Sequence, residues 1–289
     1  MFIKFWGTRG SIPVPGRKTC KYGGNTPCVE IRIKDDEIII LDAGSGLREL
    51  GNYLQNTLNF SDIPILISHY HWDHIQGIPF FRPLFKKNNI ITFYGLTIDD
   101  ADVKSVLSNQ MVPNHFPINI SEFDAFVKFQ TVNYNDSFNI KNVMVETYRS
   151  NHTADALTYK VKIGKKSLVY IPDNEILCGN SGKSYEYVEI EKLNRKLIEF
   201  CKECDYLIHD SMYDENTVRK KKGWGHSSNI SLAYFSIIAK VKHLILFHYN
   251  PDYNDSKIDA LIDETDTFLK KEKSNIICIG AQEGLTINF

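Results

Sequence analysis

The chain has 289 residues, 43% hydrophobic and 24% charged, an ordinary globular composition and long enough for one large core or two small ones. A formal net charge of −1 gives no global attraction to nucleic acid or to an anionic membrane, so an anionic substrate must be held locally and nucleic acid is not the expected partner. No apolar run reaches the ~20 residues needed to span a bilayer, and the six cysteines, Cys20, Cys28, Cys178, Cys201, Cys204 and Cys278, are too sparse for a disulfide framework, which suits a cytoplasmic protein with reduced thiols.

In chain order, Phe2–Trp6 reads as a first strand and not as a secretory signal, since Lys4 interrupts it and Gly7-Thr8-Arg9-Gly10 follows at once. Cys28–Ile33 and Glu37–Asp42 read as further strands, the latter an apolar run that ends in Asp42-Ala43-Gly44. A helix is predicted over Leu47–Leu54, then a buried strand over Ile63–Ser68. Residues 97–126 lack periodicity, hold Pro113 and Pro117, and read as a lid-like insertion. Strands follow at Leu157–Ile163, Ser167–Ile171, Tyr206–His209 and His243–Phe247, with helices from Tyr185 to about Phe200, over Asn229–Lys240 and over Ser256–Leu269. In the last, Ile258, Leu261, Ile262 and Leu269 share one face. Sheet and helix alternate twice, as in a single α/β domain of two sheets with helices outside, an αββα sandwich.

The chemistry concentrates in His69-Tyr70-His71-Trp72-Asp73-His74, just past a buried strand. Alternation along an extended chain can aim His69 and His71 at one point, while the following turn aims Asp73 and His74 at another. Imidazole and carboxylate suit zinc, and also manganese or iron. As core filling, the same four side chains would carry a large desolvation cost. Three more polar residues sit at the tips of apolar strands: His152 in Ser150-Asn151-His152-Thr153, Asp173 after Leu168–Pro172, and His248 after Leu244–Phe247. Cys201-Lys-Glu-Cys204 is a lone pair with no partner pair, so chance spacing is the better reading.

This pattern resembles the metallo-β-lactamase fold hydrolases over nearly the whole chain. The resemblance implies a four-layer αββα sandwich and two zinc ions. His69, His71 and His152 would hold one metal, Asp73, His74 and His248 the other, and Asp173 would bridge them; Asp42 would support the histidines from behind. A metal pair lowers the pKa of a shared water toward about 7, so a metal-bridging hydroxide is the implied nucleophile and hydrolysis the implied reaction.

A narrower resemblance is to the tRNase Z-like phosphodiesterase branch. There Gly225-His226-Ser227-Ser228, before a helix capped by Ser228 or Asn229, looks like the element that supplies the proton donor, and His209-Asp210-Ser211 looks like its orienting partner. Phe5–Ser11, Tyr22–Thr26, Leu41–Gly46 and the Gly-Trp-Gly-His-Ser stretch resemble bacterial proteins of that branch that look like cyclic-nucleotide phosphodiesterases, which implies a cyclic-nucleotide or related diester substrate and a homodimer by analogy. Arg9 and Asn25 can line a phosphate, or their glycine-rich segments can simply make turns. Trp72 and Trp224 can stack on a base or wall the pocket. His115 and His243 read as satisfied loop and strand residues, and Arg219–Lys222 as a solvated basic face. Alternatives are a lactonase, thioesterase or β-lactamase, a nuclease acting on RNA, and a non-catalytic metal-binding sensor.

Overall fold

The computed structural model describes residues 1–57, 62–178 and 187–289. The chain divides into two compact units, residues 1–134 with 282–289, and residues 135–281.

The first unit opens with strands β1 (Phe2–Gly7), β2 (Cys28–Lys34) and β3 (Glu37–Leu41), then helix α1 (Gly46–Thr57), β4 (Asp62–Leu66), the short helix α2 (Trp72–Ile75), β5 (Ile90–Gly95), α3 (Val103–Asn109) and β6 (Phe126–Thr131). β1, β2 and β3 pair antiparallel, whereas β3, β4, β5 and β6 run parallel. Leu47, Leu50 and Leu54 recur at helical spacing and bury α1 against Ile38, Ile40, Ile63 and Ile65.

The parallel pairing explains residues 97–126. Parallel neighbours cannot be joined by a tight hairpin and need a long crossover, and this segment is the crossover from β5 to β6. It holds α3, and its Val103, Leu107, Met111, Ile120, Phe123 and Ala125 sink into the unit's core. The apolar residues looked aperiodic because a helix, loops and a 3₁₀ turn share one short stretch.

The second unit repeats the scheme with β7 (Ser137–Ile140), β8 (Val143–Arg149), β9 (Leu157–Ile163), β10 (Lys166–Ile171), α4 (Tyr187–Cys201), β11 (Tyr206–Asp210), α5 (Glu215–Lys220), α6 (Asn229–Ile238), β12 (His243–Phe247), α7 (Asp255–Lys271) and β13 (Ile277–Gly280). β7 to β10 form an antiparallel meander, and β10 to β13 are parallel. The last strand, β14 (Thr286–Asn288), returns to the first unit and pairs with β1. Each unit thus carries one seven-stranded mixed sheet. Tyr185, the expected start of α4, lies outside the described residues.

All six cysteines are free. Burial pushes the Cys204 thiol up to about 12 and the Cys201 thiol well above its ordinary value, so neither supplies a thiolate near neutral pH. Among the described residues no helix is long and apolar enough to cross a membrane.

Candidate active site

In the first unit the parallel register places Leu41 beside Leu66, so the carboxyl ends of β3 and β4 lie together, the edge of a parallel sheet where sites gather. Asp42 leaves β3 with φ +59, a left-handed conformation that costs a non-glycine residue free energy. The turn is fixed from several sides: Ala43 N–H donates to His74 O at 2.8 Å, and Gly77 N–H to Ala43 O at 2.9 Å. Gly44 must be glycine, because a Cβ there would come within 2.2 Å of Asp73 O.

So placed, the Asp42 carboxylate organises the histidine cluster. Its Oδ1 accepts from Ser68 N–H at 2.7 Å, and its Oδ2 accepts from Ser68 Oγ at 2.9 Å and from His74 Nδ1 at 2.7 Å. Ser68 Oγ spends its proton on Asp42, so it accepts from His69 Nδ1 at 3.0 Å. Both imidazoles are therefore Nδ1–H tautomers, assigned from the network, with the Nε2 lone pair directed away. The rings of His69 and His74 lie 4.2 Å apart, and those of His69 and His71 4.5 Å apart. His74 Nε2 sits 3.3 Å from Asp73 Oδ2, lone pair toward lone pair, an arrangement that a shared cation would stabilise. Asp73 Oδ2 also accepts from Ser11 N–H at 2.7 Å, a role for the first glycine-rich turn that its sequence did not disclose.

The second unit gathers its polar residues by the same device. β10, β11 and β12 are parallel, with Ile171 beside His209 and Asp210 beside Phe247, so Asp173, Asp210 and His248 emerge on one edge. His248, like Asp42, leaves its strand in the left-handed region, at φ +55. Asp173 uses its two oxygens on different histidines: Oδ2 lies 3.3 Å from His248 Nε2, while Oδ1 lies 3.8 Å from His152 Nε2 and 3.6 Å from His226 Nδ1. His152 donates Nδ1–H to Gly225 O at 2.9 Å, leaving its Nε2 as a lone pair near the Asp173 carboxylate. In both units imidazole nitrogens face carboxylate oxygens, a donor set that fits divalent metals.

His226 stands in the loop before α6, and Ser228 caps that helix by accepting from Ser231 N–H. Its Nδ1 bonds Asp210 Oδ2 at 2.9 Å. Asp210 is buried and is itself held by Met212 N–H on Oδ1 at 2.8 Å and, more loosely, by Ser227 N–H on Oδ2 at 3.3 Å. The His226 ring stacks on His248 with centroids 5.4 Å apart and meets His152 edge-on at 5.3 Å.

Sequence reasoning missed Glu175. Its carboxylate accepts from Gly223 N–H at 2.8 Å and from Gly225 N–H at 3.1 Å, clamping the loop that bears His226. Gly225 has φ +82, and a Cβ there would lie 2.3 Å from His152 Nδ1. One segment thus fixes His152 and His226 together. The signal was present as the polar run Asp173-Asn174-Glu175 after an apolar strand; all three are buried.

The remaining candidates divide. Arg9 is fully buried and donates from Nε to Gly23 O at 2.8 Å, while Asn25 donates from Nδ2 to Glu283 at 3.0 Å and accepts from Ser45 Oγ at 2.9 Å. Both tie turns together, the structural reading of those glycine-rich segments. Trp72 is 80% exposed and Trp224 55% exposed, the latter with Lys221 Nζ 3.6 Å above its ring. His243 donates to Asp205 O at 2.8 Å and stacks on Tyr206, a structural role.

Comparison with known proteins places this geometry. A family model described as the β-lactamase superfamily domain matches residues 38–249, across both units. Ribonuclease Z of Picrophilus torridus is 29% identical, over 93% of this chain and 93% of its own. Among solved structures, the metallo-β-lactamase fold protein YhfI of Bacillus subtilis aligns with a TM-score of 0.70 at 17% identity, covering 99% of this chain and 98% of that one. The short form of human tRNase Z aligns with a TM-score of 0.65 at 20% identity, covering 100% and 99%. The ribonuclease relatives overturn the expectation that nucleic acid is not a partner. That expectation rested on net charge, which averages over the whole surface and cannot register a local site. The chain belongs to the β-lactamase superfamily as a metallo-β-lactamase fold hydrolase, and its similarity to the ribonuclease Z relatives supports the tRNase Z-like branch.

Proposed function

We propose that the protein is a metal-dependent phosphodiesterase that hydrolyses RNA, with His226 as the proton donor to the leaving oxygen. The observation that carries this reading is the 2.9 Å bond from His226 Nδ1 to the buried Asp210. An imidazole held by a carboxylate can deliver a proton from Nε2, and such donors contribute about 10²–10⁴ in rate. An alkoxide leaving from a ribose needs that proton. The ribonuclease Z relatives supply the substrate class, since they match over nearly their whole length.

In this reading His69, His71, Asp73 and His74 of the first unit and His152, Asp173 and His248 of the second would hold divalent cations. Zinc fits the donors best, with manganese or iron as substitutes. Bound cations of this kind ionise water near neutral pH and polarise the phosphoryl oxygens. The protein's own groups do the rest: Asp42 and the Gly225 carbonyl fix the imidazole tautomers, Glu175 holds the acid loop, and Asp210 orients His226. The basic run Arg219–Lys222 leads directly into the His226 loop and supplies local attraction for a polyanion that a net charge of −1 conceals. Free cysteines suit a reducing, cytoplasmic setting.

The test is a screen of zinc- and manganese-loaded protein against an RNA oligonucleotide, bis-p-nitrophenyl phosphate, cyclic mononucleotides and a lactone. RNA and the aryl diester should be cleaved, and a chelator should abolish both activities. Cleavage of the lactone with every diester intact would overturn the reading.

A further inference from the structure

The first unit contains a cavity of about 680 Å³ that the metal chemistry does not use. It lies where the His71-Trp72-Asp73-His74 turn meets the β5–β6 crossover. Trp72 and Phe116 offer it aromatic surface, and Gln76, Asn109, Gln110 and Asn114 offer it amides. No lysine, arginine, aspartate or glutamate lines it, and His115 is the single residue there that can carry a positive charge, so the lining offers amides and rings and no cluster of cations for a phosphate.

Two observations specify the occupant. Trp72 is 80% exposed although the residues after it, Asp73 and His74, are buried, so a large π-face is presented to solvent beside the ligand motif. Gln110 lines the cavity, and among the described residues its Nε2, shielded from solvent in this side-chain conformation, makes no hydrogen bond. A shielded donor without an acceptor is unfavourable, and a purely apolar occupant would leave it so. A flat aromatic molecule edged with carbonyl or ring-nitrogen acceptors satisfies both walls. A nucleobase has that chemistry, and single-stranded nucleic acid is commonly recognised by stacking plus amide contacts to base edges.

We propose that this cavity binds a nucleobase of the substrate, stacked on Trp72 and accepting a hydrogen bond from Gln110. The proposal rests on the RNA reading above, because it names the part of an RNA that this pocket recognises. It makes the enzyme selective for diesters that carry a base near the bond cleaved.

Calorimetric titration with the four ribonucleosides, which contain no scissile phosphate, tests the pocket apart from the chemistry. At least one nucleoside should bind the metal-loaded protein, and Gln110→Leu and Trp72→Leu should each weaken that binding about tenfold. In turnover, the ratio of kcat/KM on RNA to kcat/KM on bis-p-nitrophenyl phosphate should fall about tenfold in both variants, and an abasic nucleotide beside the cleaved bond should remove the difference from wild type. Nucleoside binding without RNA cleavage would sink the RNA reading and leave the pocket standing. RNA cleavage with no nucleoside bound, or with the ratio the same in both variants, would overturn the pocket.

Discussion

The two units solve one problem with different materials. In the first, the histidines stand within six consecutive residues, and a buried side-chain carboxylate, Asp42, sets the tautomer of His74 directly and that of His69 through Ser68. In the second, His152, Asp173, Asp210, His226 and His248 come from five separate places in the chain. There the orienting group for His152 is a backbone carbonyl, Gly225 O, in a loop that is itself clamped by Glu175. A carboxylate on a strand end is a rigid support. A glycine loop held by one carboxylate is an indirect support, and it lies in the half that carries the proposed proton donor. Both units still rely on the same strand-end device, a residue forced to positive φ where a parallel strand stops, Asp42 in one and His248 in the other.

The sharpest way to break this contrast is to remove the rigid support. Asp42→Ala strips the acceptor from His74 and, through Ser68, from His69, and should weaken metal affinity about 10- to 100-fold, measured by competition with a chromogenic chelator. Retained affinity would mean that the histidines are oriented by something else. A smaller effect is expected from the indirect support. Glu175→Gln places an amide against Gly223 and Gly225 N–H, and should lower kcat about tenfold with KM for the substrate little changed and the alkaline limb of the pH profile, where a general acid is lost, altered. A change in KM alone, or a loss explained by unfolding in a thermal melt, would remove Glu175 from the positioning role.

The smallest effect lies outside both clusters and calibrates them. Burial tends to raise the Asp214 carboxyl, but hydrogen bonds from Lys257 and Thr217 outweigh it and hold the group at about 2. A carboxyl lowered on folding stabilises the native state above its unfolded value near 3.9 and loses that contribution as pH falls through the folded value. Asp214→Asn should therefore cost little stability at pH 7, because the pair is partly solvated, and the difference from wild type should vanish as pH approaches about 2. Denaturant melts at pH 7, 4 and 2.5 check the trend; a difference that grows toward acid would contradict the assignment.

What the sequence disclosed follows the same division. The His69–His74 cluster was visible because its side chains are contiguous, Asp173 and His248 because each ends an apolar run, and His152 because it is a polar residue between two strands. Most first-half strands and the helices α1, α6 and α7 were legible from periodicity and caps. Strands β5 and β6, like β7, β8, β13 and β14, were not: in β5 apolar residues occupy both the buried and the half-buried positions, and β6 is an edge strand whose Phe126 is exposed. The crossover between them mixed a helix with loops and so showed no single period. Glu175 was missed because its partners are backbone amides of glycines about fifty residues away, and no side-chain pattern records such a contact. The mistaken dismissal of nucleic acid came from treating net charge as a local property.

The central claim, that a histidine oriented by Asp210 protonates an alkoxide leaving from a phosphodiester, is tested most directly by leaving-group dependence in His226→Ala. The account predicts a loss of about 10²–10⁴ in kcat on RNA but a much smaller loss on bis-p-nitrophenyl phosphate, whose nitrophenolate departs without a proton. Equal losses on the two substrates, in protein shown to carry its full complement of metal, would contradict it.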